Sequence, residues 1–262
     1  MRTSQVIEMS MVLEKAFRLV DLVSEGVDTL AGLAAASDMS RSTTHRLLAT
    51  LVEHNYLQLE DKKYGLGYRL LELGETKRRS LNFIDALRPV LTRYATLTND
   101  TIHLAVLDGK DIVLLDRVFG DRQLRINSFP GLRNTAFMTA VGKVLIGNLP
   151  QKQWQSFIDK IPADYPRTAD QILADFRQAQ RNNIAVDLDE CNFGTCGVAS
   201  SFQVNDRLRV ACSINGATVY FPNNRLQELG AVAKRMAIEL KATLDGQMPN
   251  VEFDAKSVIS VR

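Results

Sequence analysis

Residues 29–66 constrain the fold of this chain more than any other stretch. Thr29 can cap a short helix carrying Leu30, Leu33 and Ala34, which ends near Ser37-Asp38-Met39. Ser40 can cap a second helix whose apolar stripe is Leu47, Leu48, Leu51 and Val52, leaving Arg41, Ser42, Thr43, His45 and Arg46 at or near its polar head. A short helix, a tight turn and a polar-headed helix are the parts of a helix-turn-helix. After His54-Asn55 the period shortens to that of strands. Residues 56–60 and 64–66 flank Asp61-Lys62-Lys63, which predicts a hairpin with a basic tip, a wing. Upstream, Leu13, Ala16, Phe17, Val20 and Val23 recur at helical spacing before Gly26, so residues 11–24 read as an amphipathic helix.

These patterns divide the chain. Residues 1–10 are expected to be a flexible N-terminus, 11–66 a winged helix-turn-helix, and 67–82 a linker helix in which Leu70, Leu71 and Leu73 precede Lys77-Arg78-Arg79. Residues 83–246 read as a second domain and 247–262 as a tail. In the second domain a helix over 83–98 is followed by strands over 101–107 and 111–118, turned at Asp108-Gly109, and by a third strand over 124–128. Helices are expected over 140–148, 151–160 and 169–181, strands over 184–187, 198–204 and 208–215 with a hairpin at Asn205-Asp206, and a last helix over 224–244. Hairpins with helices between them predict an α+β fold, one mainly antiparallel sheet covered by helices.

Bulk properties narrow the function. The 262 residues are 45% hydrophobic and 24% charged, as in ordinary globular chains. Whole-chain charge is only +2, but residues 1–40 carry three basic against six acidic side chains and residues 41–80 eight against five. The basic excess therefore lies on the segment with the polar helix and the wing, where phosphate contact is expected. No apolar run suits a bilayer and the N-terminus lacks the apolar core of an export signal, so a cytoplasmic location and no membrane partner are expected. Three cysteines, an odd number, argue for reduced thiols.

The chain resembles the IclR-type bacterial transcription regulators over residues 11–244. SRSTTHRLLATL (40–51) is similar to that family's recognition helix, YGLGYRLLELG (64–74) to its wing and linker, and TIHLAVLDGKDIVLLDRV (101–118) to its first effector-domain hairpin. TAVGK (139–143) and the series Asp187, Glu190, Gly194 fit as well. The chain departs from the family at Phe137, where a His is frequent, and at Gly197, Ala199 and Ser201, where a Cys followed by an Ala and a Pro is frequent. The resemblance implies a regulator of a catabolic operon that binds double-stranded operator DNA as a homodimer or homotetramer. Its second domain would take a small-molecule effector, and no cofactor is implied.

The candidate DNA-contacting residues are Ser40, Arg41, Ser42, Thr43, Thr44 and Arg46 on the polar helix and Lys62 and Lys63 on the wing. A helix N-terminus in the major groove lets arginines donate to guanine edges or phosphates, while hydroxyls reach phosphates, base edges or thymine methyls. The alternative is that Ser40 only caps and the arginines only solvate a surface helix. For an effector, the start of the helix at Thr139-Ala140-Val141 offers free backbone N–H groups suited to a carboxylate. Ser213 and Asn215 share a strand face, Asp187 ends another strand, and Phe137 would supply an apolar wall. Gly142 and Lys143 read as structural, and His103 as either pocket-lining or an internally satisfied residue. One rival reading is a structural or adaptor protein that uses the winged helix for protein contact, which would not need both a basic wing and a polar helix head; another is an enzyme with Cys191 or Cys196 as nucleophile. Their spacing of five does not suit zinc, Cys212 alternates with core residues, and no general base stands out.

Overall fold

The computed structural model describes residues 2–246 apart from 160 and 223, with side chains from residue 11 onward. The expected tail over 247–262 lies outside the described residues. The chain forms two compact units that meet between Asn82 and Phe83.

The first unit contains α1 (Arg2–Ser24), α2 (Leu30–Ala36), α3 (Arg41–Glu53), β1 (Leu57–Glu60), β2 (Lys63–Leu66) and α4 (Tyr68–Arg79). Thr29 caps α2 by accepting from the Gly32 N–H, and Ser40 caps α3 by accepting from the Thr43 N–H. The core is Leu19, Leu22, Val23, Leu33, Leu48, Leu57 and Tyr64, with Leu47, Leu51 and Val52 packed against it. Two expectations for α1 change. The helix starts at Arg2 rather than residue 11, and Leu13 and Phe17, assigned by their spacing to the core, are 58% and 66% exposed. Among the described residues of α1, Leu19, Val20, Leu22 and Val23 pack into the unit's core. The wing is antiparallel, with Glu60 opposite Lys63. Asp61 and Lys62 at its tip both have positive φ, 48° and 64°, as a two-residue turn of mirror-image type requires.

The second unit runs α5 (Phe83–Thr98), β3 (Thr101–Asp108), β4 (Asp111–Val118), β5 (Arg133–Thr135), α6 (Ala140–Gly147), α7 (Gln155–Ile158), α8 (Ala169–Asn182), β6 (Ala185–Leu188), β7 (Thr195–Asn205), β8 (Leu208–Ala217) and α9 (Arg225–Leu244). Its six strands form one antiparallel sheet in the order β5-β4-β3-β8-β7-β6. Alternation sends Ala199 and Ala211 into an apolar cluster with α6 and α8 on one face. On the other face the Cys212 thiol reaches the Ala233 carbonyl of α9. The expected strand over 124–128 does not form; the third strand is β5, paired with the start of β4. Residues 119–132 instead follow an irregular path that reverses at Pro130-Gly131, where Gly131 has φ 95°. The expected helix over 151–160 splits into a 3-10 turn, Gln151–Gln153, and the short α7. Among the described residues no helix is long and apolar enough to cross a membrane.

Candidate functional site

On the head of α3, Arg41, Ser42 and Arg46 are exposed, and among the described residues neither arginine has an ion-pair partner. The hydroxyls of Ser40, Ser42 and Thr43 form one group around the cap, with Ser40 Oγ 3.1 Å from Ser42 Oγ and 2.9 Å from Thr43 Oγ1. Thr44 departs from its expected role. It is fully buried and its hydroxyl donates to the Ser40 carbonyl, because positions 44, 48, 51 and 52 share the face of α3 that meets the core. On the wing, Lys62 has no ion-pair partner among the described residues, whereas Lys63 pairs with Asp28 at 2.8 Å, raising the pKa of its ammonium and lowering that of the carboxyl. In α4, Arg78 and Arg79 share one carboxylate, Glu75, and hold it at about 2, so the run Lys77-Arg78-Arg79 stays net positive. The unpaired cations of this unit among the described residues therefore include Arg41, Arg46 and Lys62.

The second unit contains a cavity of about 70 Å³ between the start of α6, one face of the sheet, and the loops before and after. Thr139, Ala140, Val141, Asp187, Ser213 and Asn215 all line it, together with His103. Thr139 caps α6 by accepting from the Gly142 N–H, which leaves the amides of Ala140 and Val141 as the helix's first two without an intrahelical acceptor. Gly142 is required here, since a Cβ would lie 1.9 Å from the Ala136 carbonyl oxygen. Asn215 Nδ2 donates to Ser213 Oγ at 2.8 Å, and its Oδ1 occupies the space a Cβ on the opposing Gly197 would need. Burial raises the Asp187 carboxyl to about 6, although the Glu190 N–H bonded to it and nearby Lys143 pull the other way. Desolvation, with help from Arg117, pushes the His103 imidazole down to about 4; one ring nitrogen lies 2.9 Å from Ser128 Oγ.

Phe137 does not form a cavity wall as expected. It lies in the 3-10 turn Ala136–Met138, 3% exposed, and packs edge-on against Tyr165 at 5.2 Å. Sequence reasoning also missed a wall: Ile126, Asn127, Ser128 and Leu132 from the irregular segment line the cavity, as does Asn134. The pair Pro130-Gly131 was the available signal that this stretch turns rather than extends.

No lysine or arginine lines the cavity. The nearest built-in cation, Lys143, is fully buried behind it, donating to the Val186 carbonyl at 3.0 Å and pairing with Glu190 at 2.5 Å and Asp175 at 2.9 Å. Arg167 bonds the same two carboxylates, and Tyr165 donates to Glu190 at 2.6 Å. Bonding from Arg167 and Lys143 keeps Asp175 ionised despite its burial. Burial pushes the thiols of Cys191, Cys196 and Cys212 up to about 12, the reverse of what a nucleophile needs. Among the described residues no set of three metal-ligating side chains converges.

Two family profiles match the chain: the one described as IclR helix-turn-helix domain over residues 12–61, and Bacterial transcriptional regulator IclR C-terminal over residues 77–242. The chain is 28% identical over 218 residues to the HTH-type transcriptional regulator KdgR of Escherichia coli K12, covering 79% of this chain and 81% of that one. The crystal structure of the Thermotoga maritima IclR superposes with a TM-score of 0.66 at 25% identity, over 88% of this chain and 98% of the other. An IclR homologue from Microbacterium hydrocarbonoxydans, crystallised in complex with 4-hydroxybenzoate, superposes with a TM-score of 0.75 at 17% identity, over 90% and 100% of the two chains. With both its helix-turn-helix and its larger domain matched, the chain belongs to the IclR family of DNA-binding bacterial transcription regulators.

Proposed function

We propose that this regulator controls a catabolic operon and that a small carboxylate metabolite, bound in the cavity at the start of α6, sets its affinity for operator DNA. The observation that carries this reading is the convergence of the Ala140 and Val141 amides, Ser213, Asn215 and Asp187 on one cavity without a cation. Helix-start amides attract an anion, and hydroxyl and amide groups orient it, so it is held reversibly. The 4-hydroxybenzoate bound by the Microbacterium homologue is a compound of this class. At about 70 Å³ the cavity is well below the roughly 300–1,000 Å³ of ligand-filled sites. Binding therefore selects a state in which the cavity is wider, and this difference between states is what allows the ligand to act on DNA affinity.

The DNA-reading surface is the head of α3, with Arg41 and Arg46 as base or phosphate donors, Ser40, Ser42 and Thr43 as shorter-range donors, and Lys62 on the wing. Met11, Val12, Leu13 and Phe17 of α1 and Leu71 of α4 are all about half exposed or more. Such apolar faces are suited to a second copy, and a dimer doubles the base pairs read. The thiol-enzyme reading has no support in the raised cysteine pKa values. Thermal-shift titration of carboxylates against wild type, Ser213→Ala and Asn215→Ala tests the cavity. The ligand-induced rise in melting temperature is expected to shrink in both variants, and equal rises in all three proteins would remove the site.

A further inference from the structure

Outside the cavity, the larger unit holds two arginines side by side without an anion. Arg88, Arg122, Arg133, Arg167 and Arg225 of this unit each bond a carboxylate. Arg117 near the end of β4 and Arg125 in the irregular segment that follows have no ion-pair partner among the described residues. Carboxylates close in sequence do not serve them: Asp116 turns to Arg88 at 2.8 Å, and Asp121 pairs with neither arginine. Both guanidiniums nevertheless stack on Phe119, their central carbons 4.0 Å and 4.8 Å from the ring centroid, which puts the two cations within about 9 Å of each other. Arg125 is pinned further, since its Nε donates to the Arg122 carbonyl at 3.3 Å and Arg122 is tied to the fully buried Asp100. Like charges within one Debye length repel, and long side chains lose rotamer freedom when fixed together. The ring supplies the hold through cation–π contact, while the terminal N–H groups of both forks keep no protein acceptor among the described residues.

The geometry points to a second ligand site, outside the cavity, in which Arg117 and Arg125 together bind the terminal phosphate of a small phosphate monoester. Charge and reach give the class. A monoester phosphate carries about −1.5 to −2 at pH 7 and presents three strong acceptor oxygens, enough for two adjacent guanidiniums. Its phosphorus, hydrogen-bonded to a guanidinium, lies about 4 Å from that group's central carbon, so one phosphate reaches both forks. A carboxylate brings a single charge and two oxygens, and a DNA phosphodiester also brings a single charge, so either leaves one of the cations uncompensated. The site adjoins the cavity without sharing its lining. Arg117 stands opposite His103 in the sheet register and, after desolvation, is the second cause of that imidazole's depressed pKa, while Arg125 directly precedes Ile126 of the cavity wall. The inference does not rest on the carboxylate reading; it gives the regulator a second small-molecule input beside the first.

The test titrates the full-length protein with glycerol 3-phosphate by isothermal calorimetry, with glycerol as the uncharged control. Glycerol 3-phosphate is expected to bind wild type and glycerol is not. Arg117→Gln and Arg125→Gln are each expected to weaken binding about tenfold, at an unchanged melting temperature since neither breaks an ion pair. Phe119→Leu keeps both charges but removes the ring, and is expected to weaken it about threefold. Ser213→Ala, a cavity variant, is expected to bind the phosphate as wild type does. His103 is the one histidine of the larger unit, so its ring signals in NMR give a local reporter. They are expected to shift on addition of glycerol 3-phosphate to wild type and to stay in place in Arg117→Gln. No binding to wild type, or undiminished binding in both arginine variants, would overturn the site. Loss of binding in Ser213→Ala with retention in the arginine variants would put the phosphate in the cavity and overturn it too. If the arginine variants instead lower the slope of log K for DNA against log salt by about 0.9 each while glycerol 3-phosphate binds as before, the pair contacts DNA and the monoester reading falls.

Discussion

The DNA-reading surface and the cavity handle positive charge in opposite ways. On the helix-turn-helix, Arg41, Arg46 and Lys62 stand exposed and, among the described residues, unpaired. In the larger unit Lys143 has no exposed surface and three partners, while the polar groups lining the cavity beside it are amides, hydroxyls, a neutral imidazole and the Asp187 carboxyl. The difference follows from the partner each must engage. A polyanion such as DNA is met by many weak contacts, so free cations on a solvated surface add attraction at little desolvation cost. A small anion entering a closed cavity would be trapped by a buried unpaired cation, and that cation would itself be costly to keep there. Locking the cation into an ion network leaves no free cation on the cavity wall.

The largest effect that would break this contrast concerns Lys143. Lys143→Met leaves Glu190 and Asp175 short of a cation in a buried setting and is expected to lower stability by about 3–5 kcal/mol in urea denaturation. A loss under about 1 kcal/mol would mean that Arg167 alone neutralises the pair. A second effect follows from the two shifted groups of the cavity. Asp187 is easier to protonate in the folded chain, so its contribution is full below pH 3.8 and is lost as pH rises through about 6. His103 is harder to protonate, so its contribution is full above pH 6.5 and is lost as pH falls through about 4. Each amounts to on the order of 3 kcal/mol, and in wild type the opposing slopes largely cancel between pH 4 and 6. Asp187→Asn should therefore show stability rising with pH over this window, and His103→Phe should show it falling. Parallel profiles for the two variants would contradict the assigned shifts.

The smallest effect sharpens the surface side of the comparison. Lys62→Ala is expected to lower the slope of log K for DNA against log salt by about 0.9, and Lys63→Ala by less, since Lys63 is already shared with Asp28. Identical losses for the two would show that the Asp28 pair opens on DNA.

How much of this was legible in the sequence depended on the range of the interactions involved. The caps at Thr29 and Ser40, the wing and the bounds of α5 and β4 follow from neighbouring residues, so local patterns place them within a residue or two. The same period-3.6 rule could have removed Thr44 from the surface set, as it falls in line with Leu48 and Leu51. Leu13 and Phe17 obey the period yet lie outside the core, because periodicity marks an apolar face without saying what covers it. At the cavity, the start of α6 and the Ser213, Asn215 alternation were readable, being properties of one helix and one strand. Residues 126–132 were not, since the alternation around Leu124 and Ile126 imitates a strand. Their place against His103 is set by contacts across the sheet. Phe137 was misplaced for a related reason: a 3-10 turn rotates it toward Tyr165.

The contrast between free and locked cations is tested most directly at the head of α3. Fluorescence anisotropy of promoter DNA selected by the wild-type protein, titrated with Arg41→Ala/Arg46→Ala, measures what those two unpaired side chains contribute. A lost bidentate base contact costs roughly 1–3 kcal/mol, so affinity should fall at least tenfold. The melting temperature should stay at the wild-type value, because neither arginine has an ion-pair partner among the described residues. Wild-type affinity in the double variant, or an affinity loss matched by a drop in melting temperature, would contradict the assignment of these free cations to DNA.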